Sequence, residues 1–343
     1  MAGFKTALLG IIMFLSVLTY QADCRPMTNA AERHFDCNRP SHRHPIEIQE
    51  TEQGFLVTDK GANVFFYQRT PKSIDAKFTR ANYVHPLYGL DGEILTEDFP
   101  ADHPHHRGIF WAWHQLYVAD KKLGDSWSLE DFSCDVHSVK ILDVDSKSKA
   151  IQAKVYWKSS LWTGRNGEER PFVEETTTIR IFSAEGDMRK IDFEITLLAL
   201  EKGVRIGGSD NARGYGGFSA RIKLPDGLEF TDPNGPVEPK TTAVEPACWM
   251  DFSGKIGDGD KTSGLAILCD KSNPGYPHKW ILRRKGSMQN PVWPGREPVP
   301  LSTEKPTVLR YRLIIHRGRC DPAGLDKLQA EEDCRSGNDR TAG

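Results

Sequence analysis

Four of the eleven histidines of this 343-residue chain fall within twelve residues, beside aspartate, arginine and tryptophan side chains. Imidazoles near carboxylates can act as general acid and general base near neutral pH, because the histidine pKa lies close to neutrality. We therefore predict a proton-transfer site in this stretch. Its candidate catalytic residues are Asp102, His105, His106 and Arg107.

The roles within this group follow from side-chain chemistry. His105 or His106 would transfer the proton, and Asp102 would orient the imidazole. Arg107, or Arg213 from a later segment, would stabilise developing negative charge. The alternative is a loop of mutually hydrogen-bonded polar residues that closes one end of the fold.

The surrounding sequence predicts how these side chains are presented. Pro100 and Pro104 favour a rigid loop, whereas the residues from Gly108 to His114 can enter a strand. In an extended strand, His106 and His114 would share one face with Phe110.

A metal site is a second interpretation of the same residues. His103 and His105 have the H-x-H spacing of cupin-type jelly rolls, and imidazole suits zinc, iron or copper. Pro104 interrupts that strand geometry, however, and the glutamate that a cupin places a few residues later is missing. We predict no cofactor, with a metal on His103 and His105 as the alternative.

Two later segments add candidate substrate-binding residues. Residues 207–221 are rich in glycine and arginine but do not complete G-x-G-x-x-G, so a dinucleotide site is excluded. Residues 273–280 are predicted to form a proline-stiffened loop before a strand. Aromatic faces can stack on sugar rings, and arginine can hold an anion. With the strand after the histidines, the candidates are Trp111, His114, Arg213, Tyr215, Arg221, His278 and Trp280. Structural roles in a glycine-bent hairpin and a plain loop are the alternatives.

The elements that must position these residues are strands. Apolar residues alternate with polar ones over residues 151–158, 190–197 and 309–313, which is typical of antiparallel strands with one buried face. Glu174 and Glu175 precede a threonine run and put one carboxylate on each face. A solvated strand edge is the expected environment, and burial of one carboxylate against a histidine or arginine is the alternative. Gly, Asp and Pro turns separate the strands. We predict an all-β fold, a large antiparallel β-sandwich of jelly-roll or mutarotase-like form.

The chain divides into four predicted parts. Lys5 followed by an apolar run over residues 7–18 indicates a signal peptide over residues 1–24. Residues 25–45 form a loose lead-in, and residues 46–320 form the sandwich domain. Asp321 and Pro322 supply a cap and a first turn for a short helix from Ala323 to Glu332. A disordered tail is expected to complete residues 321–343.

Charge and hydropathy limit the partners. Charged residues make up 27% of the chain with a formal net charge of −2, so no basic excess favours nucleic acid. After the predicted signal, no apolar run approaches the roughly 20 residues of a membrane helix. A small-molecule or oligosaccharide ligand and a periplasmic or secreted location are therefore expected, with no membrane span.

Several motifs resemble those of a known bacterial family. They are residues 80–92, 95–100, 102–111, 214–218 and 309–312, together with His316-Arg317-Gly318. Over about residues 45–320 the chain resembles the "methane oxygenase PmoA-like" family, a domain of unknown function found in exported bacterial proteins. The resemblance implies a β-sandwich, export, and occurrence in bacteria that dismantle polysaccharides.

Together these features predict an exported carbohydrate-active protein, a hydrolase, lyase or epimerase with a His/Asp/Arg cleft. A non-catalytic glycan-binding module, in which Trp and Tyr carry the binding, is the alternative. A metal-dependent oxygenase is the second alternative.

Overall fold

The computed structural model describes residues 44–256 and 260–338, with side chains as far as residue 333. The predicted signal peptide, the lead-in up to residue 43 and the tail from residue 339 lie outside the described residues. From residue 44 onward the described chain groups into one compact unit.

The described residues form strands and one helix. In chain order they are β1 (Ile46–Glu50), β2 (Gly54–Asp59), β3 (Ala62–Gln68), β4 (Lys72–Ile74), β5 (Lys77–Arg80), β6 (Tyr83–Leu87), β7 (Ile109–Ala112), β8 (Gln115–Val118), β9 (Lys121–Gly124), β10 (Ser133–Asp145), β11 (Ser148–Lys158), β12 (Val173–Phe182), β13 (Met188–Ala199), β14 (Val204–Gly207), β15 (Gly217–Ala220), β16 (Glu229–Asp232), β17 (Gly235–Pro236), β18 (Val244–Ala247), β19 (Trp249–Gly254), β20 (Ser263–Cys269), β21 (His278–Ile281), β22 (Asn290–Pro291), β23 (Val299–Pro300), β24 (Thr307–Arg317) and α1 (Pro322–Asn338).

Two large sheets dominate the described residues. One has nine strands in the order β10-β11-β12-β13-β24-β20-β19-β16-β17, and the other has six in the order β1-β2-β3-β6-β7-β15. The long strands β11, β12, β13 and β24 pair antiparallel along most of their length. Their apolar positions are buried and alternate with half-buried polar ones. The antiparallel strands predicted from this alternation are confirmed.

The core lies between the two sheets. The rings of Trp111 and Phe218, from the six-stranded sheet, meet those of Phe193 and Tyr311 from the nine-stranded sheet. Ring centroids lie 5.2 Å apart for Phe193 and Phe218 and 4.5 Å apart for Phe218 and Tyr311. Burying each such side chain contributes about 2 kcal/mol. The predicted all-β sandwich is therefore confirmed.

The helix packs on the outside of the nine-stranded sheet. Asp321 Oδ1 accepts a hydrogen bond from Ala323 N at 3.2 Å, as predicted for the cap. Leu325 is buried, and Trp249 Nε1 donates to Asp326 Oδ1 at 2.8 Å. The helix runs to Asn338, beyond its predicted end at Glu332, which corrects the tail boundary. In the described part of the chain, no helix combines the length and apolarity needed to cross a bilayer.

The six-stranded sheet positions the histidine-rich segment. Residues 98–108, here called the histidine loop, lead directly into β7, which lies between β6 and β15 in that sheet. The chain then continues into the hairpin of β8 and β9, which belongs to a four-stranded sheet with β14 and β23. The loop therefore precedes β7, and the hairpin follows it.

Candidate functional site

The histidine loop is fixed at its base by charged groups from β5 and β6. Asp98 pairs with Arg107 in an isolated bridge of the backbone. Arg80 Nη1 donates to the His106 carbonyl at 2.8 Å and to Asp98 Oδ1 at 3.1 Å. Asp98 Oδ2 also accepts from Tyr83 Oη at 2.9 Å. The loop is thus a rigid element, because its backbone carbonyls and its carboxylate are both bound.

Asp102 and Arg221 form a second fixing point. Arg221 Nη2 lies 2.7 Å from Asp102 Oδ1, and Nη1 lies 3.0 Å from Oδ2, in a bidentate pair. Arg221 Nε donates to Glu97 at 2.8 Å, and Nη1 also donates to the Ser287 carbonyl. Burial acts to raise the pKa of Asp102, but the bonds from Arg221 and His103 outweigh it and hold that pKa well below its usual range.

This pair corrects two of the predicted roles. Asp102 Oδ2 accepts from His103 Nδ1 at 2.9 Å, so its imidazole partner is His103 and not His105 or His106. Arg221 is buried and is bound on three sides by protein groups. Asp102 and Arg221 therefore anchor the loop; the Arg221 side chain is buried, whereas that of Asp102 is exposed.

The three loop imidazoles pack against one another. His103 and His106 stack with ring centroids 4.7 Å apart, and His105 meets His106 edge-on at 4.6 Å. His106 is 2% exposed, and burial with its cationic neighbours keeps its pKa far below the usual value. His106 is therefore enclosed by protein groups, and its role in proton transfer stays a prediction. His105 is half-buried, and burial with His103, Arg107 and His114 lowers its pKa to about 4.

Trp127 is the ring around which the site is organised. Its centroid lies 5.7 Å from His106, 5.2 Å from Phe110, 5.3 Å from His114 and 5.0 Å from Tyr215. The predicted shared face of His106, Phe110 and His114 is consistent with these contacts, since all three pack on one side chain.

His114 and Asp125 form a hydrogen-bonded pair beside this ring. His114 Nδ1 lies 2.7 Å from Asp125 Oδ2. Asp125 Oδ1 accepts from the backbone N–H groups of Trp127 and Ser128, each at 2.8 Å. Burial acts to raise the pKa of Asp125, but the bonds from His114 and the backbone outweigh it and keep the pKa low. The carboxylate is ionised at neutral pH and holds the imidazole in one orientation.

The second nitrogen of His114 has no hydrogen-bond partner within residues 44–256 and 260–333. Its Nε2 is shielded from solvent and makes no hydrogen bond to any described residue. The Tyr215 ring lies edge-on against the imidazole at 4.9 Å and is itself half-buried. Buried polar nitrogens are normally satisfied in proteins, so an unpaired Nε2 beside a half-exposed ring indicates a position for a ligand group. We call His105, His114, Asp125, Trp127 and Tyr215 the candidate site.

Arg107 is buried beside the site and connects the histidine loop to the residues that follow β9. Nη1 donates to the His105 carbonyl at 3.1 Å, and Nη2 donates to the Ser126 carbonyl at 3.2 Å. The guanidinium also packs on the Phe110 ring at 4.7 Å. The side chain is 4% exposed, and burial lowers its pKa to about 10. Arg107 is therefore a positioning residue that sets the loop against the hairpin.

Arg213 and Tyr215 lie on the glycine-rich segment that borders the site. Gly214 and Gly217 adopt positive φ angles of 61° and 92°, a region that favours glycine. Tyr215 lies between these two glycines, and its ring contacts His114. Arg213 precedes both glycines and is exposed. The predicted convergence of this segment with the histidines is supported for Tyr215 by that ring contact.

The remaining predicted substrate-binding residues lie in the core. Trp111 packs on Phe193, and Trp280 is fully buried and donates from Nε1 to the Ala247 carbonyl at 3.0 Å. His278 is 2% exposed, and burial lowers its pKa to about 4. None of the three presents a face to solvent, which corrects their prediction as ligand contacts.

Glu175 is also a core residue and not part of a solvated strand edge. Oε1 accepts from Asn82 Nδ2 at 2.7 Å, Trp111 Nε1 at 2.9 Å and Thr177 Oγ1 at 2.6 Å. Oε2 accepts from Trp157 Nε1 at 2.8 Å. Burial raises the pKa of this carboxyl. Three of these donors, from Asn82 just before β6, from Trp111 on β7 and from Trp157 on β11, tie those segments to β12.

We expect Glu175→Gln to lower the free energy of unfolding by about 3 kcal/mol, because glutamine turns an acceptor into a donor that faces a Trp N–H. The matched control is Glu174→Gln on the outer face, where Glu174 pairs with Lys154 at 3.0 Å near solvent. That change should cost less than about 1 kcal/mol. Urea unfolding of both variants measures the difference, and equal losses would contradict the role of the Glu175 network.

The metal alternative was also tested by geometry. The rings of His103 and His105 lie 5.7 Å apart, edge to face, and His103 Nδ1 is engaged by Asp102. Among residues 44–256 and 260–333, no three histidine, cysteine, aspartate or glutamate side chains are grouped as metal ligands.

Asp125 and Trp127 belong to the candidate site but are not among the site residues predicted from the sequence. They follow His114 by eleven and thirteen residues and lie beside it because the β8–β9 hairpin folds the chain back, with Val118 paired to Lys121. Ser126 N donates to the Trp113 carbonyl at 3.0 Å and closes the base of that hairpin. An alternating Leu116, Val118 run followed by Leu123 was the signal that could have identified the pairing.

The candidate site and most of the described fold fall within the range of a known family model. A family model described as "Family of unknown function (DUF6807)" matches residues 55–330. That range contains the histidine loop, the β8–β9 hairpin, the glycine-rich segment and the core strands. No curated protein matches the chain.

Proposed function

The chain belongs to this family of unknown function, and we propose that it is an exported carbohydrate-active enzyme that transfers protons at the candidate site. The observation that carries the proposal is the His114–Asp125 pair. Asp125 fixes His114 Nδ1 at 2.7 Å, and Nε2 is left without a hydrogen-bond partner among the described residues. An oriented imidazole with one free nitrogen is the arrangement that general acid–base catalysis requires.

Each residue of the site has a role in this proposal. His114 Nε2 takes or gives the proton, and Asp125 stabilises the imidazolium that forms. His105 has a pKa of about 4, so it stays neutral and offers a hydrogen bond instead of a charge. Tyr215 offers the half-exposed aromatic face on which a sugar ring can stack, while Arg107 keeps the loop and hairpin in register.

Access to His114 depends on Tyr215. Because Nε2 is shielded from solvent and the Tyr215 ring lies 4.9 Å from the imidazole, we expect a bound sugar to displace that ring. The flanking Gly214 and Gly217 provide backbone freedom for such a movement.

The narrower family assignment and the location are also proposals. The motifs over residues 80–92, 95–100 and 102–111 support a PmoA-like member of the matched family. Lys5 and the apolar run over residues 7–18 support export to the periplasm or medium.

The test is to incubate the purified protein with a panel of neutral and acidic oligosaccharides and to follow both binding and new products. NMR detects cleavage, elimination and epimerisation in the same sample. We expect conversion of at least one panel member. Binding without any conversion would favour the glycan-binding module, and neither binding nor conversion would oppose a carbohydrate function altogether.

A further inference from the structure

Two arginines beside Tyr215 have no carboxylate partner in the part of the chain that the structure describes. The Arg213 guanidinium is exposed and makes no hydrogen bond or ion pair with any described residue. The Arg283 guanidinium donates only to backbone carbonyls within the described chain, those of Lys240, Leu282 and Thr241, at 2.8–2.9 Å. Both positive charges are therefore left without a compensating negative charge.

The two guanidinium groups lie close enough to affect one another and the tyrosine. After burial, the charge of Arg213 is the main factor that lowers the pKa of Arg283, and both arginines act on the Tyr215 hydroxyl. Tyr215 and Ala243 both pack against the apolar cluster that contains Trp127 and Ile281, and Ala243 follows Lys240 and Thr241, whose carbonyls accept hydrogen bonds from Arg283. The arginines therefore border the same face of the candidate site.

The neighbouring arginines are neutralised. Arg284 pairs with Glu238 at 3.0 Å, Arg296 pairs with Asp210 at 2.8 Å, and Arg221 pairs with Asp102 at 2.7 Å. Two like charges held near each other repel, and an anion placed between them removes that repulsion. Arginine is also suited to bind planar or tetrahedral anions through two parallel N–H donors.

We propose that Arg213 and Arg283 bind the anionic group of an acidic sugar, a carboxylate or a sulfate ester, whose ring stacks on Tyr215. This inference rests on the proposed carbohydrate function and names its substrate class. The anionic group orients the sugar, so that a neighbouring ring position faces His114 Nε2.

The experiment uses calorimetric titration of the intact protein with uronate, sulfated and neutral oligosaccharides. We expect an acidic ligand to bind and its neutral counterpart to bind at least tenfold more weakly. Comparison of the uronate and sulfated ligands identifies the anion. Arg213→Gln and Arg283→Gln should each weaken acidic-ligand binding at least tenfold, whereas the matched control Arg284→Gln should leave it within twofold.

Equal binding of neutral and acidic ligands, no binding of any acidic ligand, or equal effects of Arg213→Gln and Arg284→Gln would overturn the inference. Arg213 is exposed, so its substitution leaves the fold intact. The proposed function is tested separately. Conversion of neutral sugars alone would support the proposed enzymatic function and contradict the acidic-sugar inference. Binding of an acidic ligand without any conversion would support the acidic-sugar inference and contradict the enzymatic function.

Discussion

His114→Gln is expected to lower the rate of sugar conversion by roughly a hundredfold to ten-thousandfold, the range for loss of a general acid or base. Glutamine can keep a hydrogen bond to Asp125, but it has no nitrogen that exchanges a proton near neutral pH. The effect should appear in kcat, because the sugar still contacts Tyr215 and the arginines. The measurement is turnover of whichever panel substrate is converted, with binding followed by calorimetry.

Asp125→Asn tests whether the two residues act as a unit. The asparagine amide no longer stabilises an imidazolium, and its NH₂ group can face His114 Nδ1, which favours the wrong tautomer. We expect the variant that combines His114→Gln with Asp125→Asn to turn over substrate about as slowly as His114→Gln alone. The reason is that Asp125 acts through His114, so its removal has no further effect once His114 is replaced. Independent, multiplying losses would contradict the pair.

The control for this experiment is His137→Gln. His137 is an exposed histidine on β10 that packs on Tyr156, away from the candidate site. Its substitution should leave turnover and thermal unfolding unchanged. If His114→Gln also retains turnover within threefold, the proposed function is wrong at its central residue.

The sheets could be predicted from sequence because their signal is local. Ile151, Val155, Ile191 and Ile195 are all buried, as period-two alternation requires when one face of a strand meets the core. The same rule gives no reason for the burial of a carboxylate at Glu175. It occupies a buried position of β12, and only the tryptophan and threonine donors that surround it explain why a carboxylate is tolerated there.

The site could be predicted only in part, because its partners are set by distant pairing. The histidine loop was identifiable from composition, but the partner of Asp102 is Arg221, which lies 119 residues later. Residue types alone did not reveal which carboxylate faces which imidazole. The His114–Asp125 contact is closer in sequence, yet the hairpin turn has Ala119 at a φ of 50° in place of the glycine or asparagine that marks such turns.

Gly108 is expected to be the least replaceable residue of the histidine loop. It adopts a φ of 38°, and a Cβ atom there would lie 1.9 Å from the Val84 carbonyl oxygen and 2.8 Å from His85 Cβ. The backbone cannot move away easily, because Gly108 N donates to Glu97 O and Gly108 O accepts from Arg221 N, both at 2.7 Å. The contact is with main chain of β6, so no side-chain rotation relieves it.

Gly108→Ala should therefore lower the free energy of unfolding by about 3 kcal/mol or more, combining left-handed backbone strain with overpacking. The matched control is Gly92→Ala, at a φ of 90° with no atom within 4 Å of the added Cβ. That variant carries the backbone strain alone and should cost about 1 kcal/mol. Urea unfolding of both variants separates the two contributions. Equal losses of unfolding free energy would mean that the histidine loop shifts to accommodate the added methyl group. In that case, close packing against β6 would not be what fixes the position of the loop.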